Sequence, residues 1–407
     1  MKKVIIFTQP LRINFGGILQ AYALQKTVRD LGFDVITDNP TLRRRSLIVI
    51  LKDYAARFFY GVLKNDDKYK PFFKKRVKKE DYEVISRNPQ RFIKENIRTV
   101  DFFCGKRHPD KNKIKQYDIY IAGSDQVWRR RYADVKRYFF DFLDDDSIDR
   151  FSYAASFGVD NLNEYSLEEK QICKQLVKKF KAVSVRESSA IDILKKEFDQ
   201  EAVLVLDPTI LLTKEDYLKL CSNFLESSST NVESSFRKLK QSSTNEEKGD
   251  KKRMFCYVLD QTEQTGTLTK KLATYLNMDT EGVGVKENVD SKAEDITQYI
   301  LPDVEKWIMM FDDSDYIFTD SFHGTVFSII FNKPFVVIIN KIRGGSRLYS
   351  LLSLLGLEGR IINSEEDLTE EFLNHLYDID YEKVNKKKEE LREFSLNYLK
   401  RALGVEE

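Results

Sequence analysis

Short apolar runs that read as strands alternate with helix-spaced stretches along nearly the whole of this 407-residue chain. That alternation restricts the fold to an α/β class with mostly parallel sheets, since each parallel strand needs a crossover helix before the next. Residues 4–7 read as a first strand, and a helix over about 17–31 follows through the loop Asn14-Phe15-Gly16-Gly17. Further strands are predicted at 33–36, 117–122, 151–155, 182–185 and 203–206, with helices near 165–180 and 187–197. Residues 226–252 are rich in Ser, Lys and Glu, the composition of a flexible linker or surface insertion. The alternation then restarts, with strands at 254–259, near 283, at 316–318 and at 335–339, and helices at 267–276, 304–311 and 346–355. Two such runs predict two Rossmann-like domains, 1–225 and 253–380, facing a cleft. The remaining 381–407 carries a charged amphipathic helix long enough to pack back across the junction.

Several classes are excluded or disfavoured by composition. Cys104, Cys173, Cys221 and Cys256 form no CxxC pair, which suits free thiols in a reducing compartment. The apolar run at 4–7 is too short for a signal peptide, and Asn332, Lys333 and Pro334 split the longest apolar stretch below membrane-spanning length. A cytoplasmic protein is expected. From Arg43 to Lys79 the chain carries thirteen Lys/Arg against three Asp, a local +10 that leaves the rest at −8. Within it Leu47, Leu51, Tyr54, Phe58 and Val62 keep helical spacing, so a basic amphipathic helix over about 47–63 either packs on the domain or lies on the inner face of an anionic membrane. No nucleic-acid motif accompanies the basic stripe, and nucleic acid is not an expected partner.

The chemistry-bearing residues cluster where strands give way to helices, which is where open α/β sheets bind ligands. In 319–331, TDSFHGTVFSIIF, a strand breaks at His323-Gly324 and resumes as a helix capped by Asp320 or Ser321, placing His323 in its first turn. His323 is either a structural histidine or a site residue. Gly16-Gly17 is a tight turn or a place of close ligand approach, and it is not a dinucleotide fingerprint. Ser124-Asp125 closes another strand, where Asp125 either takes a proton or caps a helix. Arg186 follows a strand and suits a carboxylate or phosphate, or a salt bridge. Arg343 and Arg347 are similarly placed in the second run, so a cationic cleft and an anionic small substrate are expected. HExxH, a Walker loop and G-x-S-x-G are all absent. Asp144-Asp145-Asp146 reads as an acidic turn, and no metal site is expected.

Taken in order, NFGGILQAYAL, AGSDQVW, YAASFG, SVRE, LDPTILL, EKW, TDSFHGTVFSIIF and RGGSR resemble the polysaccharide pyruvyltransferase family. The resemblance implies a GT-B-like arrangement of the two domains, the first on the acceptor side and the second on the donor side. It implies transfer of pyruvate from phosphoenolpyruvate, the co-substrate, to a saccharide or lipid-linked oligosaccharide as a ketal, without a further cofactor. His323 matches the family's active-site histidine, and Asp125 is the second catalytic candidate, from its place at a strand end. Arg186 matches a donor-contacting arginine, and Arg343, Arg347, Ser321, Gly324 and Thr325 are expected beside the donor. Asn14, Gly16, Gly17 and Ser124 are expected on the acceptor side. The family's Arg-Leu-His triplet reads Ser321-Phe322-His323 here, so either Arg343 or Arg347 supplies the missing charge or the donor differs. A nucleotide-sugar glycosyltransferase and a membrane-associated, non-catalytic scaffold of polysaccharide assembly are the alternatives.

Overall fold

The computed structural model describes residues 1–41, 79–106, 108–227, 251–283, 296–339 and 344–405. The basic helix expected at 47–63, residues 228–250 and Arg343 lie outside these. Strands β1 (Lys3–Phe7), β2 (Asp34–Asp38), β3 (Thr99–Val100), β4 (Ile119–Ala122) and β5 (Asp149–Ser152) form a sheet ordered β3-β2-β1-β4-β5. The short strands β6 (Ser184–Val185) and β7 (Val203–Leu204) pair with each other and reach the β5 edge through Phe151–Ala182 and Ala155–Val185 bridges. A second five-stranded sheet, ordered β12-β11-β10-β8-β9, contains β8 (Arg253–Tyr257), β9 (Asp279–Gly282), β10 (Tyr316–Thr319), β11 (Phe335–Ile338) and β12 (Ile361–Ile362). All of these pairings are parallel. The fold is thus α/β, with two Rossmann-like sheets in a GT-B-like arrangement.

The central strands β4, β10 and β11 are buried at every position, because helices cover both sheet faces. This is why they read as continuous apolar runs and not as alternating ones. Four predicted strands end early, those expected to reach 155, 206, 259 and 339. The one expected to reach 155 stops at Ser152, since Ala154 takes a left-handed φ of 51° that ends the extension. The one expected to reach 206 stops at Leu204, and the Leu206 N–H goes to Ser395 Oγ at 3.0 Å. Helix Phe15–Asp30 starts earlier than its spacing suggests because Asn14 caps it, accepting from the Gly17 N–H at 3.1 Å.

Apolar packing joins the two sheets. Phe15 stacks on Trp307 with ring centroids 5.5 Å apart, and one buried cluster takes in Phe15, Ile18 and Leu19 with Trp307, Phe311 and Phe327. Helix Tyr381–Leu403 returns to the first half: Leu399 and Leu403 pack with Val4 and Ile6, and Tyr398 Oη donates to the Ser152 carbonyl at 3.0 Å. No described helix is long and apolar enough to cross a membrane.

Strand order locates the site. It reverses between β1 and β4 in the first sheet and between β8 and β10 in the second, and each reversal opens a crevice at the carboxyl ends of the strands. β1 leads toward Gly16, β4 to Asp125 and β10 to His323. The two crevices meet, since a Cβ on Gly16 would fall 2.2 Å from the His323 ring.

Candidate functional site

Five titratable side chains converge at this meeting point. Arg186, just beyond β6, lies between two carboxylates: Nη1 donates to Asp207 Oδ2 at 2.6 Å and Nη2 to Asp125 Oδ1 at 2.8 Å. His323 Nε2 stands 3.6 Å from the same Asp207 Oδ2, so one buried carboxylate oxygen faces groups from both halves of the chain. Two guanidiniums lie against the Phe322 ring, with the Arg186 Cζ 4.8 Å and the Arg347 Cζ 5.6 Å from its centroid. The cluster is nearly closed to solvent. The side chains of His323 and Asp125 are 7% and 12% exposed, while Asn14 is exposed and Gly17 half-buried beside Asp125, which marks the open edge.

Electrostatics bind these groups to one another. Burial alone would push both carboxyls up, but Arg186, His323 and Arg347 hold Asp125 below its ordinary value, and His323 and Arg186 hold Asp207 further below. Burial, and then the like charge of Arg186, pull Arg347 down to about 10. Glu187, fully buried, is raised by burial although its Oε1 accepts from the Phe157 and Gly158 N–H groups at 2.9 and 3.1 Å.

Several expectations need correction. Arg186 is not presented to a cleft as an uncompensated cation, because two carboxylates neutralise it, so the centre is close to balanced rather than strongly cationic. Asp125 caps no helix, and its depressed pKa makes it a weak base at neutral pH. Ser124 is fully buried, its Oγ 2.9 Å from the Ala154 carbonyl and 3.3 Å from Asp207 Oδ2, so it is not available to an acceptor. Of the two candidate caps it is Ser321 that accepts, from the Gly324 N–H at 3.3 Å, while Asp320 holds the Leu259 and Asp260 N–H groups. Thr325 is also fully buried, and its hydroxyl donates to the Ser321 carbonyl at 3.1 Å. Ser321, Gly324 and Thr325 therefore satisfy one another, and the Gly324 and Thr325 N–H groups are already bonded.

The glycines are small for the protein's own sake. A Cβ on Gly324 would lie 2.3 Å from Thr319 Oγ1, and one on Gly16 would lie 2.2 Å from His323 Cγ and Nδ1. Gly16→Ala is therefore expected to cost about 1–3 kcal/mol through overpacking and to displace the His323 ring. Gly17→Ala, whose methyl would meet Asp125 Oδ2 at an ordinary 3.6 Å, should stay within about 1 kcal/mol of the parent. Denaturant melts of the two variants check this, and equal losses would refute the contact.

One member of the cluster, Asp207, was not singled out from sequence. Asp207 lies in LDPTILL, where an Asp before Pro reads as a turn cap, and it does cap there, its Oδ1 accepting from the Thr209 N–H at 3.1 Å. A chemical role for Oδ2 depends on tertiary contacts that no local pattern carries.

A family model described as polysaccharide pyruvyl transferase matches residues 14–342. The chain belongs to that family. The matched stretch contains Gly16, Asp125, Arg186, Asp207 and His323, while Arg347 lies just beyond it. Among solved structures, the chain is similar to the S. aureus MnaA–UDP co-structure at 14% identity and a TM-score of 0.47, covering 100% of this chain and 98% of that one. It is similar to the UDP-GlcNAc 2-epimerase from Neisseria meningitidis bound to UDP-GlcNAc at 11% identity and a TM-score of 0.47, covering 98% and 100%. No curated protein sequence matches. The pyruvyl transferase family membership makes the chain a transferase of polysaccharide biosynthesis.

Proposed function

We propose that this pyruvyl transferase family member moves the pyruvyl group of phosphoenolpyruvate onto two hydroxyls of a saccharide, lipid-linked or free, forming a ketal and inorganic phosphate. The observation that carries this reading is the meeting of His323 with buried Arg186 and Arg347 at the carboxyl edges of both sheets. The reaction needs a proton delivered to the methylene carbon while one sugar hydroxyl adds to the adjacent carbon. Phosphate then leaves with a proton, and the second hydroxyl closes the ketal as its own proton is released. Two hydroxyl protons are thus lost, one replaced at carbon and one at phosphate. His323, charged on Nδ1 beside the bound anionic donor, supplies the proton to carbon. Arg347 holds the donor's anionic groups together with Arg343, since an anion beside Arg347 offsets the burial and the like charge that pull it down. Arg186 orders the centre through Asp125 and Asp207. The acceptor enters at the open edge formed by Asn14, Gly17 and Asp125.

Incubation with phosphoenolpyruvate and a panel of nitrophenyl and lipid-linked sugars is expected to release phosphate and yield a pyruvylated sugar by mass spectrometry. Phosphoenolpyruvate should also raise the melting temperature by mass action, and nucleoside diphosphates should not. Stabilisation by a nucleoside diphosphate alone would turn the reading toward nucleotide-sugar transfer.

A further inference from the structure

We propose that Asp207 is the positioning residue of His323: its Oδ2 accepts from the Nε2 N–H and so leaves Nδ1 as the ring nitrogen available for chemistry. The kinetic part of this proposal rests on the pyruvyl-transfer reading, whereas the structural part does not. Nε2 is buried and makes no hydrogen bond, and the carboxylate oxygen facing it is 3.6 Å away. Closing by about 0.5 Å brings the pair to hydrogen-bond distance. The other ring nitrogen lies on the Gly16 side, where only the missing Cβ leaves room.

The carboxylate is held from several directions, as a positioning group must be. Oδ1 accepts from the Thr209 N–H at 3.1 Å and from the Thr209 hydroxyl at 2.7 Å, which leaves Oδ2 turned toward Arg186 and His323. Its backbone is fixed as well. The Leu206 N–H donates to Ser395 Oγ at 3.0 Å, the Leu206 carbonyl accepts from Tyr153 Oη at 3.2 Å, and the Thr209 carbonyl accepts from Tyr217 Oη at 2.9 Å. Helix Tyr381–Leu403 adds Arg392 Nε, which donates to the Leu211 carbonyl at 2.9 Å. A carboxylate needed only to neutralise Arg186 would duplicate Asp125, which already does so at 2.8 Å. What Asp207 adds is reach across to the histidine of the other half. A neutral imidazole carries one proton, and the nitrogen that keeps it is set by the partner of the other ring position.

The test uses the full chain and Asp207→Asn, whose amide donates to Nε2 and so drives the proton to Nδ1. The chain has only three histidines, so ring-nitrogen NMR of ¹⁵N-histidine-labelled protein, assigned with His323→Gln, resolves this ring. The parent protein is expected to show a neutral ring protonated on Nε2, and Asp207→Asn one protonated on Nδ1. With phosphoenolpyruvate and acceptor, kcat and kcat/KM should fall together by roughly 10²- to 10⁴-fold, the pattern of an interaction made in the transition state. A parent ring protonated on Nδ1, or an unchanged tautomer in folded Asp207→Asn, overturns the proposal. If the variant does not fold, the parent spectrum alone decides. If the tautomer switches but the parent transfers no pyruvate, the positioning role stands and the assigned reaction falls.

Discussion

His323→Gln is expected to lower pyruvyl transfer by roughly 10²- to 10⁴-fold, the worth of a positioned general acid, while the protein stays folded and still binds the donor. Glutamine has comparable reach, and its amide can donate toward Asp207 Oδ2, now 3.6 Å from Nε2. The buried carboxylate thus keeps a polar neighbour. The edge contact between the Phe322 and His323 rings, with centroids 5.2 Å apart, is lost, a modest packing term. What glutamine cannot do is carry a proton to carbon. Initial rates of phosphate release, with the thermal shift induced by phosphoenolpyruvate as the binding control, separate the two functions. Full turnover in a variant that binds donor normally would remove His323 from the chemistry, and lost donor binding would make it a binding group.

The architecture was legible where burial is two-sided. Residues 316–318 and 335–339 read as strands because both faces of β10 and β11 are covered, so every position is apolar and the run stands out. The helix over 346–355 was read to the residue for a different reason, since Gly356 at φ 68° ends it with a conventional left-handed cap. The site was legible in position and not in contacts. Strand ends at Asp125, Arg186 and His323 marked the crevices, since ligand crevices follow from topology. Partner choice did not follow from it. Arg186 read as a ligand-binding cation or a salt-bridge partner, and the choice stayed open because its carboxylates lie 61 and 21 residues away in sequence, at Asp125 and Asp207. Gly16 read as a tight turn or a place of close ligand approach and Gly324 as a residue beside the donor, and what fills the space is His323 in one case and Thr319 with Tyr257 in the other. Small residues at a strand-to-helix turn report close approach, and the sequence does not say of what.

Arg186→Met should be the most destabilising single change at this centre, costing about 3–5 kcal/mol, because it leaves buried charge uncompensated. Methionine keeps much of the volume and can still lie against Phe322, whose ring the guanidinium now overlies at 4.8 Å, so the loss is electrostatic and not a cavity. The pH dependence identifies it. Asp125 and Asp207 have folded pKa values below the ordinary 3.8, so in the parent they contribute stability that is present above that value and is lost as pH falls through the lower folded values. Without Arg186, burial, the largest influence on both, raises their folded values. The folded variant therefore binds more protons than the folded parent does, and its stability falls less as the solution is acidified. The difference between parent and variant is therefore largest near neutrality and narrows toward about pH 4. Urea denaturation at a series of pH values reads this directly. A gap independent of pH would mean that the guanidinium contributes by packing alone, and that Asp125 and Asp207 find their counter-charge in Arg347.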